Sequence, residues 1–212
     1  MSQPSSLHKF FRHFRSQRML RFQRLFEITD QTTVLDVGGS PLIWQFANVQ
    51  PKLTFLNLPP AIEDARGNAN LVGGDGRMLP FQDGAFDIVF SNSTIEHVGN
   101  RDDQQRFANE IARVGKRYWV QTPNRRFPFE MHVMLPFVHY LPRSWQRRIV
   151  TRFTGWQILV PHTKDVRRDY IAHFLNELRL LDERELRSLF PQAQIAREWM
   201  FGLPKSLIAY KA

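Results

Sequence analysis

Two carboxylate–histidine pairs stand out for the chemistry they could do. Glu96-His97 lies in SNSTIEHVGN, and Glu130 precedes His132 by two residues in FEMHVML. An imidazole titrates near neutral pH, and a neighbouring carboxylate sets which nitrogen carries the proton, so either pair can accept or deliver one. A plainer role is open to Glu96 and His97, which could hold a loop or cap the helix that follows. Elsewhere acids and hydroxyls sit beside small residues: Asp36 with Gly38 and Gly39 in VLDVGGSP, Asp75 with Gly76 and Arg77 in GGDGRM, and Ser91 in FSNST. Asn57 and Leu58 close LTFLNLPP in the same way.

Several chemistries are excluded at once. The chain has no cysteine, so it offers no thiolate metal site, iron–sulfur cluster, disulfide or cysteine nucleophile. The spacing of the histidines matches no metal-ligand pattern, so no metal site is expected; His139, His162 and His173 read as surface or packing residues.

The elements that must position these groups alternate. TVLDV is a short buried strand, LIWQFANV a helix and LTFLN a second strand; NLVGGD and AFDIVFSN supply a third and a fourth. DDQQRFANEIARVGK is an amphipathic helix opened by Asp102 or Asp103, and RYWVQTPN is a fifth strand. QIAREWM and SLIAYKA read as a closing hairpin around GLPK, its final strand antiparallel to the rest. Apolar strands alternating with helices specify an α/β fold: a Rossmann-like, mostly parallel sheet of seven strands, an antiparallel last strand and helices on both faces. Residues 125–165 interrupt the rhythm with prolines, aromatics and arginines and no strand pattern, as an insertion after the fifth strand serving as lid or substrate pocket. VRRDYIAHFLNELRLL and DERELRSLF resume as helix. The strand endings are polar, and in this architecture ligands bind beyond the carboxyl ends of the strands.

VLDVGGSP together with GDGRMLPFQDGAFDIVFSNSTIEHV resembles the class I S-adenosylmethionine-dependent methyltransferases, in particular the type 11-like branch. The resemblance runs from about Thr33 to Ala212, making residues 31–212 a methyltransferase-like domain with S-adenosylmethionine as cofactor. It implies that Asp36 helps orient the aminoacyl end, that Gly38 and Gly39 let the backbone approach the ligand, and that Asn57, with Leu58, meets the ribose. It also implies that Asp75 accepts from the adenine amino group, with Gly76 or Arg77 N–H on a ring nitrogen, and that Ser91 lines the methyl-donor channel. His97, with Glu96 beside it, is then the leading base for the acceptor, and His132 with Glu130 the second. Ser40 and Leu42 replace loop glycines, and Asn57 replaces an acid that would grip both ribose hydroxyls. These departures leave a second function open, a non-catalytic domain that binds a partner or nucleic acid. The missing third glycine and ribose acid speak against a dinucleotide-dependent oxidoreductase.

The acceptor can be narrowed only by exclusion. Methylation of cytosine C5 needs a cysteine, amino methylation of DNA an Asn/Asp-Pro-Pro motif where SNST stands, and catechol methylation an acid cluster that is absent. A small molecule, a sugar or a lipid-linked acceptor remains, at oxygen or nitrogen. Arg125, Arg126, Arg143, Arg147 and Arg148 suit an anionic acceptor or a solvated face equally.

The net charge is +9 over 212 residues. Much of it falls on residues 1–30, where Lys9, Arg12, Arg15, Arg18, Arg21 and Arg24 precede the first acid, Glu27. This segment reads as a basic helix, with a bend near Ser16-Gln17 or with its two ends covered on different sides. It either packs on the domain with its arginines in water or meets an anionic lipid surface; nucleic acid is not the expected partner. No stretch reaches the roughly 20 apolar residues of a membrane span, and a cytoplasmic, membrane-peripheral at most, location is expected.

Overall fold

The computed structural model describes residues 6–58, 70–153, 175 and 178–212. Five strands run parallel: β1 (Thr33–Val37), β2 (Lys52–Asn57), β3 (Leu71–Gly73), β4 (Phe86–Asn92) and β5 (Gly115–Pro123). The insertion contributes two-residue strands, β6 (Phe129–Glu130) and β7 (Leu135–Pro136), which pair with each other in a separate two-stranded sheet. β8 (Gln194–Met200) and β9 (Leu203–Lys211) form the closing hairpin, and β9 pairs antiparallel with β5. The order in the main sheet is β3-β2-β1-β4-β5-β9-β8. Strand order therefore reverses at β1, between β2 and β4, which opens a crevice at their carboxyl ends.

Period-two alternation explains why the strands are apolar throughout. Val34, Ile88, Phe90 and Trp119 face one layer, while Leu35, Val37, Val89, Tyr118 and Val120 face the other. Both faces are covered, so both sets must be apolar. The first layer is closed by α1 (Ser6–Phe26) and the four-residue α2 (Pro41–Trp44). The second is closed by α3 (Arg101–Val114), whose Phe107, Ile111 and Val114 are fully buried. The insertion carries α4 (Arg143–Arg152), with Val133, Leu135, Val138, Val150 and Leu178 as a small core of its own. α5 (Glu183–Leu189) adds Leu186 and Leu189 to the second layer. No helix among the described residues is long and apolar enough to cross a membrane.

The basic helix is integral to this packing. Its Met19, Phe22 and Phe26 are at most 1% exposed, each such burial contributing roughly 1.5–3 kcal/mol. The Phe22 ring lies 4.9 Å from that of Phe90, 5.7 Å from Trp119 and 6.0 Å from Trp44. Arg18, expected among the solvated arginines, is instead buried: its Nε and Nη2 donate to the two Glu198 oxygens at 2.6 Å, and Nη1 donates to Asn92.

α1 is a single helix through Ser16-Gln17. Three local expectations are corrected. The helix expected over LIWQFANV ends at Trp44, because side chains satisfy the backbone that a longer helix would have bonded. Gln50 Nε2 donates to the Trp44 carbonyl, and Gln23 accepts from Asn48 N and donates to the Val49 carbonyl. α3 is opened by Asn100, which accepts from Asp102 N and Asp103 N while Asp103 accepts in return from Asn100 N; this reciprocal box outcompetes a cap at Asp102 or Asp103. The insertion, read as strandless, contains the β6–β7 pair. Most of VRRDYIAHFLNELRLL lies outside the described residues.

Burial alone would raise the Glu198 carboxyl, but the Arg18 hydrogen bonds and the charges of Arg18 and Lys205 outweigh it and hold it at about 2. The unfolded carboxyl titrates near 4.5, so the pair's contribution is complete above that pH and is lost as pH falls toward the native value. We expect Glu198→Gln to cost roughly 3 kcal/mol at pH 7. In urea denaturation the gap to the parent protein should narrow steadily below pH 4.5.

Candidate functional site

The chain leaves β1 at Val37 through Gly38, whose φ of +75° lies in the left-handed region and favours glycine. Gly38 N–H donates to the Leu56 carbonyl at 2.8 Å, extending the β1–β2 pairing into the loop. A Cβ on Gly38 would lie 2.4 Å from Thr94, and one on Gly39 would lie 2.0 Å from the Asp36 carboxylate. The two glycines are therefore required by neighbouring protein atoms, a different reason from the ligand approach expected for them.

Asp36 sits under that loop, fully buried, and accepts from Trp44 Nε1 at 2.8 Å. Its other oxygen, Oδ1, has no partner among the described residues. Burial pushes the carboxyl up to about 7, against the lowering effect of the Trp44 bond. Ser91 is also fully buried, and its hydroxyl donates to the Val37 carbonyl at 3.1 Å. Neither side chain lines the crevice; the strand pleat turns both inward.

The crevice itself is a cavity of about 260 Å³, lined by Gly38, Asn57, Leu58, Asp75, Gly76 and Arg77, and by Thr94, His97, Val98 and Phe107. Asn57 Nδ2 donates to the Gly39 carbonyl at 2.9 Å, so the amide that replaces an acid ties the glycine loop to β2 and keeps its oxygen as an acceptor. Asp75 accepts from Arg77 N at 2.9 Å and from the Arg77 guanidinium, and these bonds hold its carboxyl below the usual carboxylate range. Arg77 also pairs with Asp103 at 3.2 Å. Thr94, Val98 and Phe107 were not legible as site residues. Thr94 reads as loop and Phe107 as helix core, which it also is.

Beside the cavity, Ser93 takes a φ of +55° and the chain makes a 3-10 turn over Ile95–His97. The turn sends Glu96 inward, fully buried, where Thr122 Oγ1 donates to Oε2 at 2.9 Å and Oε1 has no partner among the described residues. Burial raises the Glu96 carboxyl to about 7, while the His132 charge and the Thr122 bond oppose the shift. From the insertion, Glu130 accepts from both His132 N and His132 Nδ1, at 2.9 and 2.7 Å. Burial would lower His132, but Glu130 and Glu96 outweigh it and raise its pKa. The rings of His97 and His132 meet edge to face with centroids 5.1 Å apart. Two pairs separated by 33 positions in the chain thus form one cluster, and one ligand atom from each of Glu96, His97 and His132 lies within 4.8 Å of the others.

A second cavity, about 320 Å³, has Arg18, Asn92, Ser93, Gln121, Met131 and Lys205 in its wall. Arg125 faces neither cavity; it pairs with Asp182 and Glu185 at 2.8 and 2.9 Å. His139 bonds the Arg125 carbonyl at 2.9 Å, while His162 and His173 lie outside the described residues.

Residues 45–118 match the model of a family described as a methyltransferase domain. The chain is 36% identical over 88 residues to an uncharacterized methyltransferase of Mycobacterium sp. strain KMS, a stretch that is 39% of this chain and 34% of the relative. The chain thus spans about a third of the length of the curated relatives it matches. Among solved structures it is similar to a magnesium protoporphyrin IX methyltransferase from Synechocystis with bound SAH, at a TM-score of 0.54 and 10% identity, covering 100% of this chain and 90% of that one. It is also similar to a protein described as a Zn-dependent alcohol dehydrogenase from Rhodobacter sphaeroides, at 0.59 and 14%, covering 98% and 89%. At such identities the two structures speak to the fold alone.

The buried Asp36 gives a test of the loop. Its folded value near 7 lies above its ordinary 3.8, so the native state disfavours the ionised form and stability falls as pH rises between the two. Asp36→Asn should therefore melt above the parent protein at pH 8, with the difference closing toward pH 4 in thermal scans.

Proposed function

We propose, from the premise that this chain belongs to the class I S-adenosylmethionine-dependent methyltransferases, that the 260 Å³ cavity holds S-adenosylmethionine and that the protein transfers its methyl group to a small-molecule, sugar or lipid-linked acceptor at oxygen or nitrogen. The observation that carries this reading is the convergence of Asn57 and Asp75 on one cavity where strand order reverses. The residues fit such a ligand. Asn57 keeps one oxygen for a ribose hydroxyl, and Asp75 is held ionised by Arg77 with capacity to accept a further N–H from an adenine amino group. The Asp36 oxygen that has no partner among the described residues lies beneath the loop that would flank the aminoacyl end.

S-adenosylmethionine supplies an electrophilic methyl carbon on a sulfonium sulfur. What the protein must add is position, since alignment at near-attack distance supplies much of the acceleration of such a displacement. Thr94 and His97 line the cavity wall, and the Glu96–His97–His132 cluster is the group we assign to activating the acceptor. The second cavity suits the acceptor's body: Met131 and Met200 give it an apolar side, while Arg18 and Lys205 outnumber Glu198 on the other and favour an anionic group.

The exposed Arg12, Arg15, Arg21 and Arg24 of α1 support a peripheral contact with anionic lipid as well. Cosedimentation with anionic vesicles should drop when all four become glutamine; binding that survives the change counts against this contact.

Calorimetry should give micromolar binding of S-adenosylmethionine or S-adenosylhomocysteine. Asp75→Ala should weaken it by at least about tenfold, since a charge-assisted bond to the ligand is lost. Absence of binding to either compound, with tight binding to RNA or a protein, would instead indicate a non-catalytic domain.

A further inference from the structure

We infer that Glu96, His97 and His132 form a binding site for one divalent transition-metal ion; on the methyltransferase reading, on which only this part of the inference rests, the ion holds and activates the acceptor's oxygen. One ligand atom from each residue already lies within 4.8 Å of the others. Metal–ligand bonds near 2.0–2.2 Å need ligand atoms roughly 3–4 Å apart, a closure that side-chain rotation can supply.

Two features point to a cation there. Glu96 Oε1 is buried without a partner among the described residues, while Thr122 holds the other oxygen. Leaving a carboxylate oxygen so exposed to a low dielectric is costly unless something binds it. Glu130, itself 2% exposed, holds His132 Nδ1 at 2.7 Å. A carboxylate behind an imidazole in this way fixes the tautomer that presents Nε2 as ligand, as in metal sites generally.

The donor set selects the metal class. Two imidazoles and one carboxylate suit zinc, cobalt, manganese or ferrous iron, and suit the oxygen-seeking magnesium and calcium poorly. Three protein ligands leave coordination positions open. His97 lines the first cavity and Met131, between Glu130 and His132, lines the second, so the ion would sit between them. A hydroxyl of the acceptor bound at an open position loses its proton more readily: the O–H bond breaks, the electron pair stays on the metal-bound oxygen, and the proton leaves to solvent.

The test uses the full chain, stripped with a chelator and titrated with Zn²⁺ and separately with Co²⁺, whose visible absorption reports nitrogen and oxygen ligands. One equivalent should bind. His97→Gln and His132→Gln should each weaken binding by about 100-fold or more, and Glu130→Gln by about 10–100-fold. No stoichiometric binding by the parent protein at about 100 µM metal overturns the site, as does undiminished binding in a folded His97→Gln/His132→Gln double variant. The parent titration decides even where a variant fails to fold. S-adenosylhomocysteine calorimetry on the same stripped sample separates the two readings. Cofactor bound with no metal uptake overturns the metal site alone, whereas metal uptake without cofactor binding upholds the site and overturns the methyltransferase reading.

Discussion

A single carbonyl organises the site. The oxygen of Val37, at the end of β1, accepts from Ser91 Oγ at 3.1 Å and from Thr94 Oγ1 at 3.2 Å, which ties the end of β4 to the end of β1. One residue later, Gly38 N–H reaches the Leu56 carbonyl of β2. Three strands are thereby locked together at the point where their order reverses. The cavity lies on one side of this knot, bounded by Asn57 and the glycine loop it tethers. On the other side Thr94, held in place, begins the turn that aims Glu96 inward and His97 toward the cavity. These bonds carry the β1–β2 and β1–β4 pairing past the ends of the ladders, so both halves of the site depend on them.

Around this knot the protein buries acids and compensates them in different ways. Glu198 is given Arg18 and Lys205, and stays ionised at low pH. Asp36 receives one indole N–H and, among the described residues, no partner for its other oxygen, and Glu96 receives one hydroxyl and the field of His132. The fully paired acid anchors a helix, and the two under-paired acids lie buried beneath the glycine loop and at the 3-10 turn, outside the cavity wall. That division is what physical chemistry leads one to expect, since a structural ion pair is stabilised by completing its bonds, whereas a site keeps polar capacity in reserve for what it binds.

The basic helix changes meaning once it is seen in place. Its arginines read as a surface; its Met19, Phe22, Phe26 and Arg18 are among the most enclosed side chains of the first layer. Arg18 also donates to Asn92 at the tip of β4 and lines the second cavity. A segment with the composition of an appendage therefore shapes the space beside the candidate site, and its packing and that site are coupled through the β4 tip.

The sequence by itself determined the sheet, because period-two apolar strands alternating with helices have few ways to bury both faces, and it placed polar residues at the strand ends that border the crevice. Asn57, Asp75, Gly76 and His97 could be located from their position after a strand and from the resemblance of the surrounding motifs. It could not say which way a strand-end side chain points. Asp36 and Ser91 are turned inward by the pleat, and the glycines answer to Thr94 and Asp36, contacts that exist only after folding. Nor could it join Glu96-His97 to Glu130 and His132: no local pattern encodes a meeting across 33 residues, and it takes the insertion, folded over its own small core, to bring the second pair against the first. Spacing reveals ligands that share one turn or one helix; ligands gathered by tertiary packing become visible only when the packing is known.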